Sequence, residues 1–165
     1  MQLSVSPCEP QDGLAYPLTT EIRFSSDPLL VPGICSAAAN FAADQDSGGQ
    51  PKLALVLREL LRNAVEHGNR RDSSRTVKCR ITRLGTRAVE IVVTDEGTGF
   101  DSDAVDYQLP DTPQDSSHCG LRLVHALSNE LRFEDGGKTV VCRVSLDGDT
   151  VSDEQSTPAN NPTKE

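Results

Sequence analysis

Val92-Val93-Thr94-Asp95-Glu96-Gly97-Thr98-Gly99-Phe100-Asp101 is the stretch on which the fold turns. Its valine-rich start reads as a buried strand, and the strand ends on an aspartate followed by two alternating glycines. An ionised carboxylate only accepts hydrogen bonds, so Asp95 is suited to take one from the exocyclic amine of adenine. Gly97 and Gly99 permit backbone angles that side chains forbid and let the chain pass close to a ligand. Taken by itself, the pattern also fits an ordinary strand end followed by a flexible turn.

Upstream lies the strongest helical signal in the chain. Pro51 opens it, Leu53, Leu57, Leu60, Leu61 and Ala64 form its apolar stripe, and Gly68 ends it. Within it, Glu59-Leu60-Leu61-Arg62-Asn63-Ala64-Val65-Glu66-His67-Gly68 puts Glu59, Asn63 and either Glu66 or His67 on one polar face. The carbonyl of Asn63 suits magnesium, a hard cation that prefers oxygen. A carboxylate one turn earlier, Glu59, can hold a metal-bound water or accept a proton from an attacking hydroxyl. A solvated helix face accounts for the same residues if nothing else is near.

Downstream, Ser116-Ser117-His118-Cys119-Gly120-Leu121-Arg122-Leu123-Val124 takes a polar loop into a helix at a glycine. Free N–H groups at such a start bind phosphate, with the helix dipole in support. Cys119 there reads as an inert small residue in preference to a redox sensor.

The remaining segments fall around these three. Residues 1–17 are rich in Pro and Ser and read as a loose, flexible arm. Thr19 to Phe24 alternate as a strand, and a helix runs from about Pro32 to Asp44 with Ile34, Ala37, Ala38 and Phe41 inward. Val77–Leu84 and Ala88–Thr94 form strands around Gly85, and Leu131–Glu134 and Thr139–Leu146 form a hairpin around Gly136-Gly137. Residues 101–118 read as a long acidic loop, and 148–165 as a disordered acidic tail. One domain, 18–147, is expected.

With 16 basic against 25 acidic residues and a net charge of -9, the chain repels nucleic acid and anionic membranes, so neither is an expected partner. No apolar run approaches a membrane span, and Met1 to Pro7 lack the pattern of a signal peptide. The five cysteines are odd in number and form no CxxC pair, which fits reduced thiols in a cytoplasmic protein.

Taken together and in this order, the three constellations resemble the GHKL (Bergerat-fold) superfamily of gyrase, histidine kinases and MutL. Glu59, Asn63, His67 and Gly68 match its Asn box. Asp95, Gly97, Gly99 and Phe100 match its first glycine box, and Gly120 and Leu121 the core of the second. Thr139 matches a late threonine that assists adenine binding. The resemblance covers roughly residues 19–146. It implies an α+β two-layer sandwich, a mixed and mostly antiparallel sheet of about five strands with helices on one face, and the nucleotide between the layers.

The size and the segment Asn63-Ala64-Val65-Glu66-His67-Gly68 look like the RsbW and SpoIIAB anti-sigma-factor serine/threonine kinases. That likeness implies ATP with Mg2+ as cofactors and Glu59 as catalytic base. Asn63 becomes the metal ligand, and His67, Asp95, Gly97, Gly99, Phe100, Gly120, Leu121 and Thr139 surround the nucleotide. It implies a sigma factor and a STAS-domain antagonist as partners, and a homodimer. The loop 101–118 carries five aspartates and no Lys or Arg, an odd neighbour for a triphosphate. A nucleotide-gated binding module without phosphoryl transfer is therefore the second reading.

Overall fold

Alternating burial turns the strands into one sheet with a single apolar face. The structure, a computed structural model, describes residues 2–6, 18–42, 50–102, 105 and 119–146. Strands β1 (Gln2–Ser6), β2 (Thr19–Ser25), β3 (Thr76–Leu84), β4 (Ala88–Thr94), β5 (Glu130–Glu134) and β6 (Thr139–Ser145) lie in the order β1-β2-β3-β4-β6-β5. Partners across the ladder share a face, so Ile22, Cys79, Val93 and Val140 form one apolar row. Ile81, Ile91, Cys142 and Leu131 form the next.

The helices cover that face. α1 (Val31–Ala42) packs on α2 (Gln50–Asn63), and α2 on α3 (Cys119–Leu127). Leu53, Val56, Leu57, Leu60 and Leu61 of α2 are all buried, which is the expected stripe with Val56 added. In α1 the buried residues are Val31, Ile34, Cys35, Ala38, Ala39 and Ala42, while Ala37, expected inward, is exposed. The helix starts one residue before Pro32, and this buried stripe packs on α2. Asp27 caps the preceding short turn by accepting from the Leu29 N–H at 2.9 Å.

The α+β two-layer architecture is the expected one. In the sheet, expected to be mixed and mostly antiparallel, all five pairings among the described strands are antiparallel. Hairpins join β3 to β4 and β5 to β6, and the α3 crossover leaves β5 running parallel to β4 but separated from it by β6. The arm assigned to residues 1–17 is not loose throughout, because Gln2–Ser6 pairs with β2 from Gln2↔Arg23 to Ser6↔Thr19. Backbone pairing along an open sheet edge needs no strongly apolar segment, so the polar composition concealed it. The rest of that arm, the acidic loop beyond Ser102 apart from Val105, and the tail 148–165 lie outside the described residues.

The described thiols are Cys35, Cys79 and Cys142, all buried and free. Burial pushes the thiols of Cys35 and Cys142 up to about 11 and that of Cys79 to about 12. No helix among the described residues is long and apolar enough to cross a membrane.

Candidate functional site

α2 does not stop at Asn63 but loosens into a wider turn, Ala64–Gly68, closed by the Asn69 N–H donating to the Ala64 carbonyl five residues back at 2.8 Å. Such π-type turns recur at functional sites because they displace side chains from the regular helical phase. Here the turn brings Asn63, Ala64, His67 and Gly68 to the wall of a cavity of about 650 Å3. Glu66 turns away and pairs with Arg71 at 2.9 Å, so His67 is the residue that shares the cavity with Asn63.

The opposite wall is the end of β4 and the loop after it. Val93, Asp95, Gly99, Phe100 and Asp101 line the cavity, with Val140 from β6, Gly137 from the β5–β6 turn, and Leu121 and Arg122 from α3. The volume and the mostly apolar lining with a few convergent polar groups suit a nucleotide-sized ligand.

Asp95 is held in place from three sides. Its backbone N–H donates to the Lys138 carbonyl at 3.0 Å, and its Oδ1 accepts from the Gly97 N–H at 2.8 Å. A Cβ added at Gly68 would stand 2.6 Å from that same Oδ1, so only glycine lets helix and carboxylate come so close. Burial pushes the Asp95 carboxyl above its ordinary value, opposed by the Gly97 hydrogen bond and by the charges of Lys138 and Arg75.

Gly97 and Gly99 do different jobs. Gly97 is buried, and a Cβ there would run into the Gly68 carbonyl. Gly99 has φ +75 and lies against the Gly136 carbonyl, which accepts from the Phe100 N–H at 3.0 Å. The Phe100 ring meets Phe133 edge to face at 5.2 Å, anchoring the glycine loop to β5.

Glu59 and Gly120 stand behind the lining. A Cβ on Gly120 would lie 2.7 Å from Glu59 Oε2 and 3.6 Å from the Asn63 amide, which places the start of α3 directly over both side chains. Glu59 is only 8% exposed. Its Oε2 is ion-paired with the Arg62 guanidinium at 2.8 Å and has no well-directed hydrogen bond. A buried carboxylate beside an amide oxygen is a hard oxygen donor set that fits a hydrated magnesium ion. Among the described residues no group of three or more His, Cys, Asp or Glu could hold a metal by itself. A magnesium ion here would therefore draw its other ligands from phosphate and water.

Four of the expected residues do not line the cavity: Glu59, Gly97 and Gly120 stand behind its wall, and Thr139 lies on the other face of the sheet. Thr139 faces Thr94 across the ladder, its hydroxyl 3.1 Å from Thr94 Oγ1 and donating to Asp135 Oδ2 at 3.2 Å. Side chains alternate along a strand, so its neighbour Val140 lines the cavity instead. Val93 and Val140 were findable by extending that alternation. Asn69 and Ser26, which buttress the site, carried no local signal.

A cleft between an antiparallel sheet and its helices, with an Asn from helix and an Asp from strand on facing walls, defines a nucleotide-binding ATPase domain. The model of the histidine kinase-like ATPase domain family matches residues 24–144, and the chain belongs to that family. No curated protein shows significant similarity to it.

Proposed function

We propose that this ATPase-family domain is a magnesium-dependent serine/threonine protein kinase of the anti-sigma-factor type. In this reading it phosphorylates a STAS-domain antagonist, sequesters a sigma factor and works as a cytoplasmic homodimer. The observation that carries the nucleotide part is the convergence of Asn63 and Asp95 on one cavity. The partner part rests on the likeness of residues 63–68 to the RsbW and SpoIIAB kinases.

Asp95 accepts from the adenine amine, and Leu60, Val93 and Val140 wall the base from water. The first turn of α3, at Gly120 and Leu121, presents N–H groups to phosphate. Asn63 Oδ1 and Glu59 Oε2, the latter paired with Arg62, are the groups that would hold magnesium and its water. Magnesium, when bound, neutralises charge on the phosphoryl group being transferred. Glu59 takes the proton from the attacking serine hydroxyl.

The test is γ-labelled ATP with a purified STAS-domain antagonist. Label should reach a serine of the antagonist and fall by about 10²-fold or more in Glu59→Gln, with ATP affinity retained. Transfer that persists in Glu59→Gln removes this residue from the base role.

One observation favours a second reading, a nucleotide-gated binding module. Among the described lining residues Arg122 is the only Lys or Arg, against the carboxylates of Asp95 and Asp101. Phosphoryl transfer favours more cations than that. Partner affinity that changes with ATP or ADP, with no phosphoprotein formed, is the signature of this alternative.

A further inference from the structure

Asn69 lies immediately after the Asn-box turn and is completely buried, at 0% exposure. A buried primary amide is costly unless its donors and acceptor are used, and here they are. Nδ2 donates to Ser26 Oγ at 2.6 Å and to the Thr76 carbonyl at 3.1 Å. Oδ1 accepts from the Glu96 N–H at 2.8 Å. The chemistry fixes the orientation of the amide, because a backbone N–H requires the oxygen and a carbonyl requires the nitrogen.

The location matters more than the count. In the β3–β4 ladder Lys78 faces Thr94, so two residues further Thr76 would face Glu96. That rung is not made by backbone. The Thr76 carbonyl and the Glu96 N–H are bridged by the carboxamide of Asn69, and the Thr76 N–H donates to Glu96 Oε2 at 2.8 Å. A side-chain amide presents the same donor and acceptor as a peptide group, so Asn69 enters the ladder as an inserted peptide unit. Insertion separates the strand ends at the residue after Asp95. Asn69 is itself tied to the helix through its own N–H on Ala64, and its carbonyl accepts from the Asp72 N–H at 3.1 Å.

We propose that Asn69 is the positioning residue for adenine recognition. By replacing the Thr76–Glu96 rung, it couples the end of the Asn-box helix to the end of β4 and sets where Asp95 stands. Ser26, also 0% exposed, fixes the other hydrogen of the amide and is the second member of the device. The inference rests on the nucleotide reading above and concerns residues outside the cavity lining.

The experiment compares wild type, Asn69→Ala and Ser26→Ala at a temperature where circular dichroism shows each folded. Three quantities are read: ATP affinity, discrimination of ATP from GTP, and hydrogen exchange at the Glu96 amide. Asn69→Ala should weaken ATP binding by about tenfold or more, with ATP and GTP binding alike. Glu96 exchange should accelerate. Ser26→Ala keeps the Thr76 and Glu96 links and should shift all three in the same direction by less, and it serves if Asn69→Ala does not fold. A purely structural role would lower thermal stability and leave the ATP/GTP ratio of the folded protein untouched; that result in both variants overturns the proposal. Wild type that binds no adenine nucleotide overturns the nucleotide reading itself, an outcome separate from variants that bind as wild type does.

Discussion

At the junction of helix and sheet Gly68 lies so close to Asp95 that a Cβ on residue 68 would overlap the carboxylate at Oδ2. Helix end and strand end are thereby set at one spacing, and the cavity between Asn63 and Asp95 inherits it.

Gly68→Ala should therefore push Asp95 off its position on the Gly97 N–H. We expect a loss of about 1–3 kcal/mol in stability from overpacking, read from a denaturant midpoint, and a larger proportional loss of ATP affinity. Wild-type ATP affinity in this variant would show that the contact carries no functional spacing.

The raised carboxyl of Asp95 predicts a pH dependence of definite sign. Its ionised form is needed to accept from adenine, and burial makes that form less favourable in the folded protein. ATP affinity should fall as pH drops through the raised value, earlier than an ordinary carboxylate would require. For stability the sign is opposite to that of a paired carboxylate. The ionised group costs stability above its folded value, and the cost is relieved as pH falls toward the unfolded value. Asp95→Asn should thus be more stable than wild type at neutral pH, with the difference shrinking in acid. It should bind ATP weaker by about 1.5–3 kcal/mol, on the order of tenfold to a hundredfold. Thermal unfolding and calorimetry at two pH values decide it, and a pH-independent gap between the proteins would contradict the assignment.

Cys79, fully buried with its thiol pushed up to about 12, should resist alkylation in the native protein and react on unfolding. Peptide mass spectrometry after iodoacetamide reads this site by site. Native-state labelling of Cys79 at the rate of an open thiol peptide would mean that the sheet–helix interface opens readily.

Leu57, at 0% exposure in the stripe of α2, is a test of the core alone. Leu57→Ala should cost about 2–5 kcal/mol by the transfer and cavity terms together, while the folded fraction keeps its ATP affinity. A matching loss of affinity would show that α2 moves as the core loosens.

Much of the site was legible because its residues come in local patterns. Asn63 and His67 share a helix face, and Asp95, Gly99 and Phe100 share a strand end, so spacing along the chain was enough to nominate them. Thr139 was nominated by motif and displaced by geometry. A shift of one residue in a strand moves a side chain to the other face, and the pairing of Thr139 with Thr94 decides which face it is. The choice between Glu66 and His67 needed the widened turn after Asn63, whose hydrogen bond spans one residue more than a regular helix allows.

The linear order of residues determined which segments are helix and strand, where the apolar stripe of α2 lies, and that an Asn on one element and an Asp on another were available for a nucleotide. These follow from periodicity and from side-chain chemistry, which act over a few residues. The tertiary structure alone decided that Gln2–Ser6 joins the sheet, that Val140 and not Thr139 meets the cavity, and that Asn69 bridges Thr76 and Glu96. Each depends on a partner distant in sequence, Ser26 on Asn69 by 43 positions and Asn69 on Glu96 by 27, and contacts at that separation leave no imprint on the local pattern.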